Sequence, residues 1–149
     1  MDPLISTALT WRAQDPDVDT LARTDELIAA YESGDESART ELTAAFAGPL
    51  EFGTAGLRGP LGPGPARMNR VVVTQAAAGF GRWLIAAGHQ GGKVIVGYDA
   101  RYKSADFARD TAEALAAQGF TPLLTARATP TPVVAFGIRE YGCLSLIHI

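Results

Sequence analysis

Cysteine is almost absent from this 149-residue chain. With Cys143 alone, no intramolecular disulfide can form, and a reducing compartment is the simplest reading. Lysine is nearly missing too: only Lys93 and Lys103 occur. Net charge is -3 and the isoelectric point is near 5.3, so there is no basic footprint and nucleic acid is not an expected partner. No apolar run approaches membrane-spanning length, and no membrane partner is expected. The start, MDPLISTALTWRAQDPD, lacks a basic stretch followed by an apolar one, so no signal peptide is expected and the location reads as cytoplasmic. His89 and His148 stand far apart without acidic or cysteine partners at metal spacing, which predicts surface or packing roles and no metal site. There is no Gly-Lys-Ser/Thr step, hence no Walker loop. The carboxylates of Asp15, Asp17 and Asp19 alternate, but the glycine and terminal glutamate of a calcium loop are missing, and a solvated face is expected.

Apolar residues make up 47% of the chain and charged ones 19%, enough for a globular core. Residues 1–48 read as three polar-rich helices. Ile5, Leu9 and Arg12 carry the first; Asp17 or Asp19 caps the second; Gly34 ends it; and Asp35 caps the third. Alternating glycine and proline forbids regular structure over 62–65. A strong helix over 71–87 follows, with Val73, Ala76, Ala77, Phe80, Trp83, Leu84 and Ala87 on its apolar face. Gly79 and Gly81 suggest close packing of that helix on a sheet. Residues 93–97 form a β-branched strand of the buried type, and 121–125 form another. The helix between them is predicted to be capped by Ser104, and a later one by Thr131 with Pro132 at its first position. Val134, Ala135, Ile138 and Tyr141 give that last helix an apolar side, and residues 143–149 have the composition of a strand. The order predicts an α/β fold: a helical N-terminal extension, then a mixed β-sheet sandwiched by helices with right-handed crossovers.

The stretch with the most chemistry is Gly53-Thr54-Ala55-Gly56-Leu57-Arg58-Gly59. Three glycines in seven residues suit neither a helix nor a central strand. They suit a place where φ is positive or where the backbone approaches a ligand. Arg58 among them offers a guanidinium beside unshielded N–H groups, an arrangement fit for a phosphate. A Gly-rich turn with a solvated arginine is the alternative reading. Asp99 and Arg101 follow the first strand, and Thr129 and Thr131 follow the second. Parallel strands would bring both loops to one rim, where α/β sheets gather ligands, and Arg58 could join them. An ion pair pinning a loop is the plainer reading of Asp99 and Arg101. A helix cap is the plainer reading of Thr131.

In order and spacing, LEFGTAGLRGPLG at 50–62, Arg67-Met68-Asn69, VGYDAR at 96–101 and TPTP at 129–132 resemble the N-terminal domain of the α-D-phosphohexomutases. The phosphoglucomutase, phosphomannomutase and phosphopentomutase branch with a helical extension is the most similar. The resemblance covers roughly residues 10–142. It implies a four-domain parent that interconverts sugar 1-phosphates with 6-phosphates or 5-phosphates through a phosphoserine and a bisphosphate intermediate. It implies a phosphosugar partner, Mg2+ held by a second domain, and a sugar bisphosphate activator. It implies that Arg58, with Thr54 and Gly56, contacts the phosphosugar. It also implies that Asp99 and Arg101 support the loop carrying the serine.

The sequence also departs from that family. The family's Thr-x-Ser-His-Asn-Pro loop does not follow the TPTP helix, and Ser145 lacks its context. No Asp-Gly-Asp metal motif occurs. These departures predict a helical extension at 1–48, an incomplete first mutase domain at 49–142 and an atypical tail at 143–149 arising from truncation or a sequencing artefact. They also predict that the chain alone is inactive. A non-catalytic phosphosugar-binding module and a purely structural fragment are the other readings.

Overall fold

Aspartate side chains start the first three helices of the computed structural model, which describes residues 2–54 and 56–149. A short carboxylate just outside a helix satisfies N–H groups that have no intrahelical partner. Asp2 accepts from Leu4 N ahead of α1 (Pro3–Arg12), Asp17 from Asp19 N ahead of α2 (Val18–Glu32), and Asp35 from Ser37 N and Ala38 N ahead of α3 (Glu36–Ala45). The Tyr31 hydroxyl donates to Asp2 at 2.6 Å, the main reason the Asp2 carboxyl sits below its ordinary pKa. Ile5 and Ala8 of α1, Leu27 and Ile28 of α2, and Ala38 and Leu42 of α3 form one core. Fully burying a side chain such as Leu42 contributes about 1.5–3 kcal/mol.

The chain divides into two compact units, residues 1–72 and 73–149. The first unit holds α1 to α3, a minimal antiparallel pair formed by β1 (Phe52–Gly53) and β2 (Gly56–Leu57), and the opening of α4 (Arg70–Ala86). Its second core joins Trp11 to Val71 and Val72, with Phe46, Leu50 and Leu57 packed against them. Trp11 and Phe46 meet edge to face, 6.2 Å between centroids.

The second unit is a parallel sheet in the order β4-β3-β5, where β3 is Lys93–Gly97, β4 Thr121–Leu124 and β5 Ser145–His148. Side chains alternate across β3. Val94 and Val96 pack with Leu84 of α4 and with Ala108 and Leu115 of α5 (Ser104–Ala116). Ile95 and Gly97 face the other way, toward α6 (Thr131–Tyr141). Here two glycines set the spacing. A Cβ on Gly97 would stand 2.4 Å from Val134 Cγ2, and one on Gly137 would stand 2.6 Å from Ile95 Cδ1. Helices thus cover both faces of the sheet. Parallel and antiparallel pairing both occur, in separate sheets.

Several local expectations need correction. Asp15 and Asp17 are buried, and Oδ1 of each accepts the backbone N–H two residues on, at 3.0 Å in both cases, while Asp19 is exposed as expected. Ser104 is the first helical residue of α5, and Lys103, at φ +67°, takes the cap position. Thr131 is the first residue of α6, Pro130 precedes it as the cap, and Pro132 moves to the second position. Trp83 is exposed and stacks on Phe80 at 6.0 Å; only part of the apolar stripe of α4 meets the sheet. Ala135 and Tyr141 are exposed on α6 as well. Gly81 lies against Gln118, beyond the end of α5, and Gly79 has nothing within 4 Å, so neither touches a sheet.

Candidate functional site

Leu57 anchors the glycine-rich loop. It is half-buried against Trp11, Val71 and Val72, while its neighbours Gly56 and Arg58 are exposed. Gly53 pairs with Gly56, so only two positions separate β1 from β2, and Ala55, one of them, lies outside the described residues. Gly56 adopts φ +96°, a conformation costly for other residues. The backbone therefore turns sharply and presents Thr54 and Arg58 to solvent. Among the described residues Arg58 has no hydrogen-bonding or ion-pair partner. No partner among the described residues compensates its charge.

The segment after Arg58 folds back on itself. Met68 N donates to Pro60 O at 2.9 Å, and Gly62 N donates to Met68 O at 3.2 Å. Leu50 N donates to Pro65 O at 2.8 Å, tying the residues before β1 to the same segment. The Leu50 side chain covers Gly59, where a Cβ would stand 2.8 Å from Leu50 Cδ1.

The second unit carries the other predicted residues. Because β3 and β4 are parallel, the loops after them lie at one rim, as the pattern anticipated. Thr125 N donates to Val96 O at 2.9 Å and Thr129 N to Tyr98 O at 2.8 Å. Asp99 is the hub of its loop. Its Oδ1 accepts from Arg101 N at 2.9 Å and from Ser104 Oγ at 3.0 Å, and its Oδ2 accepts from Arg101 Nε at 2.7 Å. The N–H of Arg101, followed by the Ser104 hydroxyl and the Arg101 guanidinium, holds the Asp99 carboxyl below its ordinary pKa. The structure thus pairs Asp99 with Arg101. It places Arg58, Thr54 and Gly56 in the first unit and Asp99 and Arg101 in the second.

Sequence reasoning gave His148 no specific contact and Thr131 only a cap. His148 Nε2 lies 2.8 Å from Thr129 O, and Nδ1 lies 3.2 Å from Thr131 Oγ1. A carbonyl only accepts, so Nε2 donates to Thr129 O, while Nδ1 and the Thr131 hydroxyl form the second hydrogen bond. The end of β5 is thereby fastened to the loop before α6. No sequence signal joins positions 17 residues apart; only the placement of β5 beside β3 does.

No group of three His, Cys, Asp or Glu side chains converges among the described residues. No helix among them is long and apolar enough to cross a membrane.

The phosphoglucomutase/phosphomannomutase alpha/beta/alpha domain I family matches residues 49–149, from just before the glycine-rich loop through β5. The chain belongs to the phosphoglucomutase/phosphomannomutase family. Phosphomutases of this family recur among its relatives. A probable phosphoribomutase of Schizosaccharomyces pombe is 33% identical over all of this chain and 25% of its own length. A human phosphopentomutase is 36% identical over 87% of this chain and 22% of its own length. A probable phosphomannomutase of Haemophilus influenzae is 43% identical over 50% of this chain and 15% of its own length. The chain therefore spans about a quarter or less of these phosphomutase relatives. No solved structure matches it.

Proposed function

We propose that this chain is the N-terminal part of a phosphosugar mutase and that Arg58 is one anchor for the phosphoryl group of its substrate. The observation that carries the reading is the exposed, unpaired Arg58 on a glycine-flanked turn inside the segment matched by the family. A guanidinium binds phosphate through two parallel N–H donors, and the exposure of Arg58 lets an anion come close. Thr54 adds a hydroxyl on the same turn, and Gly56 supplies the bend. Asp99 holds the second loop in shape through Arg101 and Ser104, which supports a positioning role for that pair.

The parent reaction moves a phosphoryl group between the 1-position and the 6- or 5-position of a sugar, through a phosphoserine and a sugar bisphosphate that also serves as activator. Phosphoryl transfer depends on positioning and charge stabilisation, which is what an arginine anchor supplies. Mg2+ would supply further charge neutralisation in the parent; no step is assigned to a metal held by this chain. We place the protein in the cytoplasm. Residues 1–149 contain no Ser-His-Asn-Pro sequence, so phosphosugar binding without turnover is the expected behaviour of the chain itself.

The test combines binding and turnover. Glucose 1-phosphate is titrated into the purified chain by calorimetry, alongside Arg58→Ala. Saturable binding that Arg58→Ala removes supports the reading, and equal binding by both proteins overturns it. A coupled assay with glucose 1-phosphate, a bisphosphate activator and Mg2+ should show no product. Turnover would refute the expected inactivity of the chain.

A further inference from the structure

Asn69 is 1% exposed, among the largest fully buried side chains of the molecule, and it is the polar one of the segment that follows Arg58. Its Nδ2 donates to Gly62 O at 2.9 Å and to Gly64 O at 2.8 Å, with Arg67 O also at 3.3 Å. Its Oδ1 accepts from Val72 N at 2.9 Å, in the first turn of α4. One amide thus links the glycine-proline segment to a helix. Both limbs of the Arg58 turn are attached to that same segment: Pro60 accepts from Met68, and Leu50 donates to Pro65. The segment is itself seated on α3. Ala66 N donates to Ala45 O at 3.1 Å, and Gly64, at φ +97°, lies so close that a Cβ would stand 2.5 Å from Ala45 O.

Short backbone bonds alone define this segment weakly, since it has no regular structure. A buried amide with both Nδ2 protons and the carbonyl engaged costs much to disengage, and it selects one arrangement. We infer that Asn69 is the positioning residue of the Arg58 turn. By fastening residues 62–64 to α4, it holds the strap that brackets Arg58, so the guanidinium meets a phosphate in one orientation. Asn69 touches no substrate; it acts through Pro60, Leu50 and Leu57. The inference rests on the reading of Arg58 as a phosphate anchor.

The experiment compares the wild-type chain with Asn69→Ser and Ile28→Val. Serine keeps an oxygen to cap α4 but cannot reproduce two donors to Gly62 and Gly64. Ile28→Val loosens the α1–α3 core and serves as a destabilised control. Two quantities are read on folded protein: the affinity for glucose 1-phosphate, and the backbone order of residues 56–59 by 15N relaxation. Asn69→Ser should lower affinity about tenfold, as expected when one charge-assisted contact loses its geometry. It should also lower order at 56–59, while Ile28→Val changes neither. A lowered melting temperature for Asn69→Ser with unchanged affinity and unchanged order overturns the inference and leaves Asn69 a purely structural cap. If the wild-type chain binds no glucose 1-phosphate, the phosphate reading of Arg58 fails by itself, and the relaxation data alone decide on Asn69. If Asn69→Ser does not fold, Asn69→Asp keeps the cap, lacks the donors and answers the same two readouts.

Discussion

Two arginines in two loops have opposite surroundings. Arg58 stands on a turn with glycines on both sides and no partner among the described residues. Arg101 is also exposed, yet its Nε is committed to Asp99 at 2.7 Å. The residues flanking the Arg58 turn are held by backbone bonds, Met68 N to Pro60 O and Leu50 N to Pro65 O, that leave the guanidinium unused. The loop of Arg101 is organised from within, by a carboxylate that uses the guanidinium and the Ser104 hydroxyl together. An arginine whose own charge shapes its loop has less left to offer a ligand. The contrast is what sets the proposed anion anchor apart from an arginine paired within its own loop, although both residues read as cationic loop positions in the sequence.

The largest expected effect comes from breaking the support of the segment after Arg58. Gly64→Ala adds a Cβ 2.5 Å from Ala45 O at a residue with φ +97°, and the strain and overpacking should cost about 2–4 kcal/mol. Urea denaturation measures it. Unchanged stability would mean that the segment yields easily and that the turn is not held by it.

Next in size is the loss of the anchor itself. Arg58→Ala should weaken glucose 1-phosphate binding by about 1.5–3 kcal/mol, the worth of hydrogen bonds to a charged group, with the melting temperature unchanged. Arg101→Ala should do the reverse. Its exposed ion pair contributes about 1 kcal/mol or less, so a slight loss of stability with nearly unchanged affinity is expected. Equal losses of affinity in the two variants would erase the distinction between anchor and pin.

The smallest effect is a dependence on pH. The folded-state carboxyl of Asp99 is depressed, so the stability it adds is fully present above its unfolded value and is lost as pH falls through the folded one. The advantage of wild type over Asp99→Asn should hold at neutral pH and fade below about pH 4. Parallel melts of both proteins isolate Asp99 from other depressed carboxyls such as Asp2 and Asp35. A difference that stays constant into acid would show that the geometry of the Asp99 side chain matters and its charge does not.

Much of the fold was legible because its signals are local. Asp17 and Asp35 cap helices by reaching their own neighbouring N–H groups, and Gly34 and Gly142 end helices in left-handed conformations. The β-branched run at 93–97 matches its strand, since a strand buried on both faces is apolar throughout. The helix starts at Ser104 and Thr131 were misplaced by one residue. Both side chains turn to other partners instead, Asp99 for the first and His148 for the second, and those partners come from other segments. Asp15 and Asp17 looked solvated because aspartate usually is, yet both are buried, with Oδ1 of each accepting the backbone N–H two residues on. Trp83 looked like core because helical periodicity finds an apolar stripe without saying how much of it a neighbour covers.

By itself, the sequence determined the caps, the breaks, the strand at 93–97 and the glycine-flanked Arg58, because each depends on backbone preferences within a few residues. It also carried the family resemblance, which spans the order of all these motifs. Only the tertiary structure decided which arginine is paired, which glycines admit α6 to the sheet, where His148 fastens β5, and that Asn69 is buried and bonded to Gly62 and Gly64. Those are matters of distance between residues far apart in the chain, and hydrogen bonds and van der Waals contacts act only over a few ångströms.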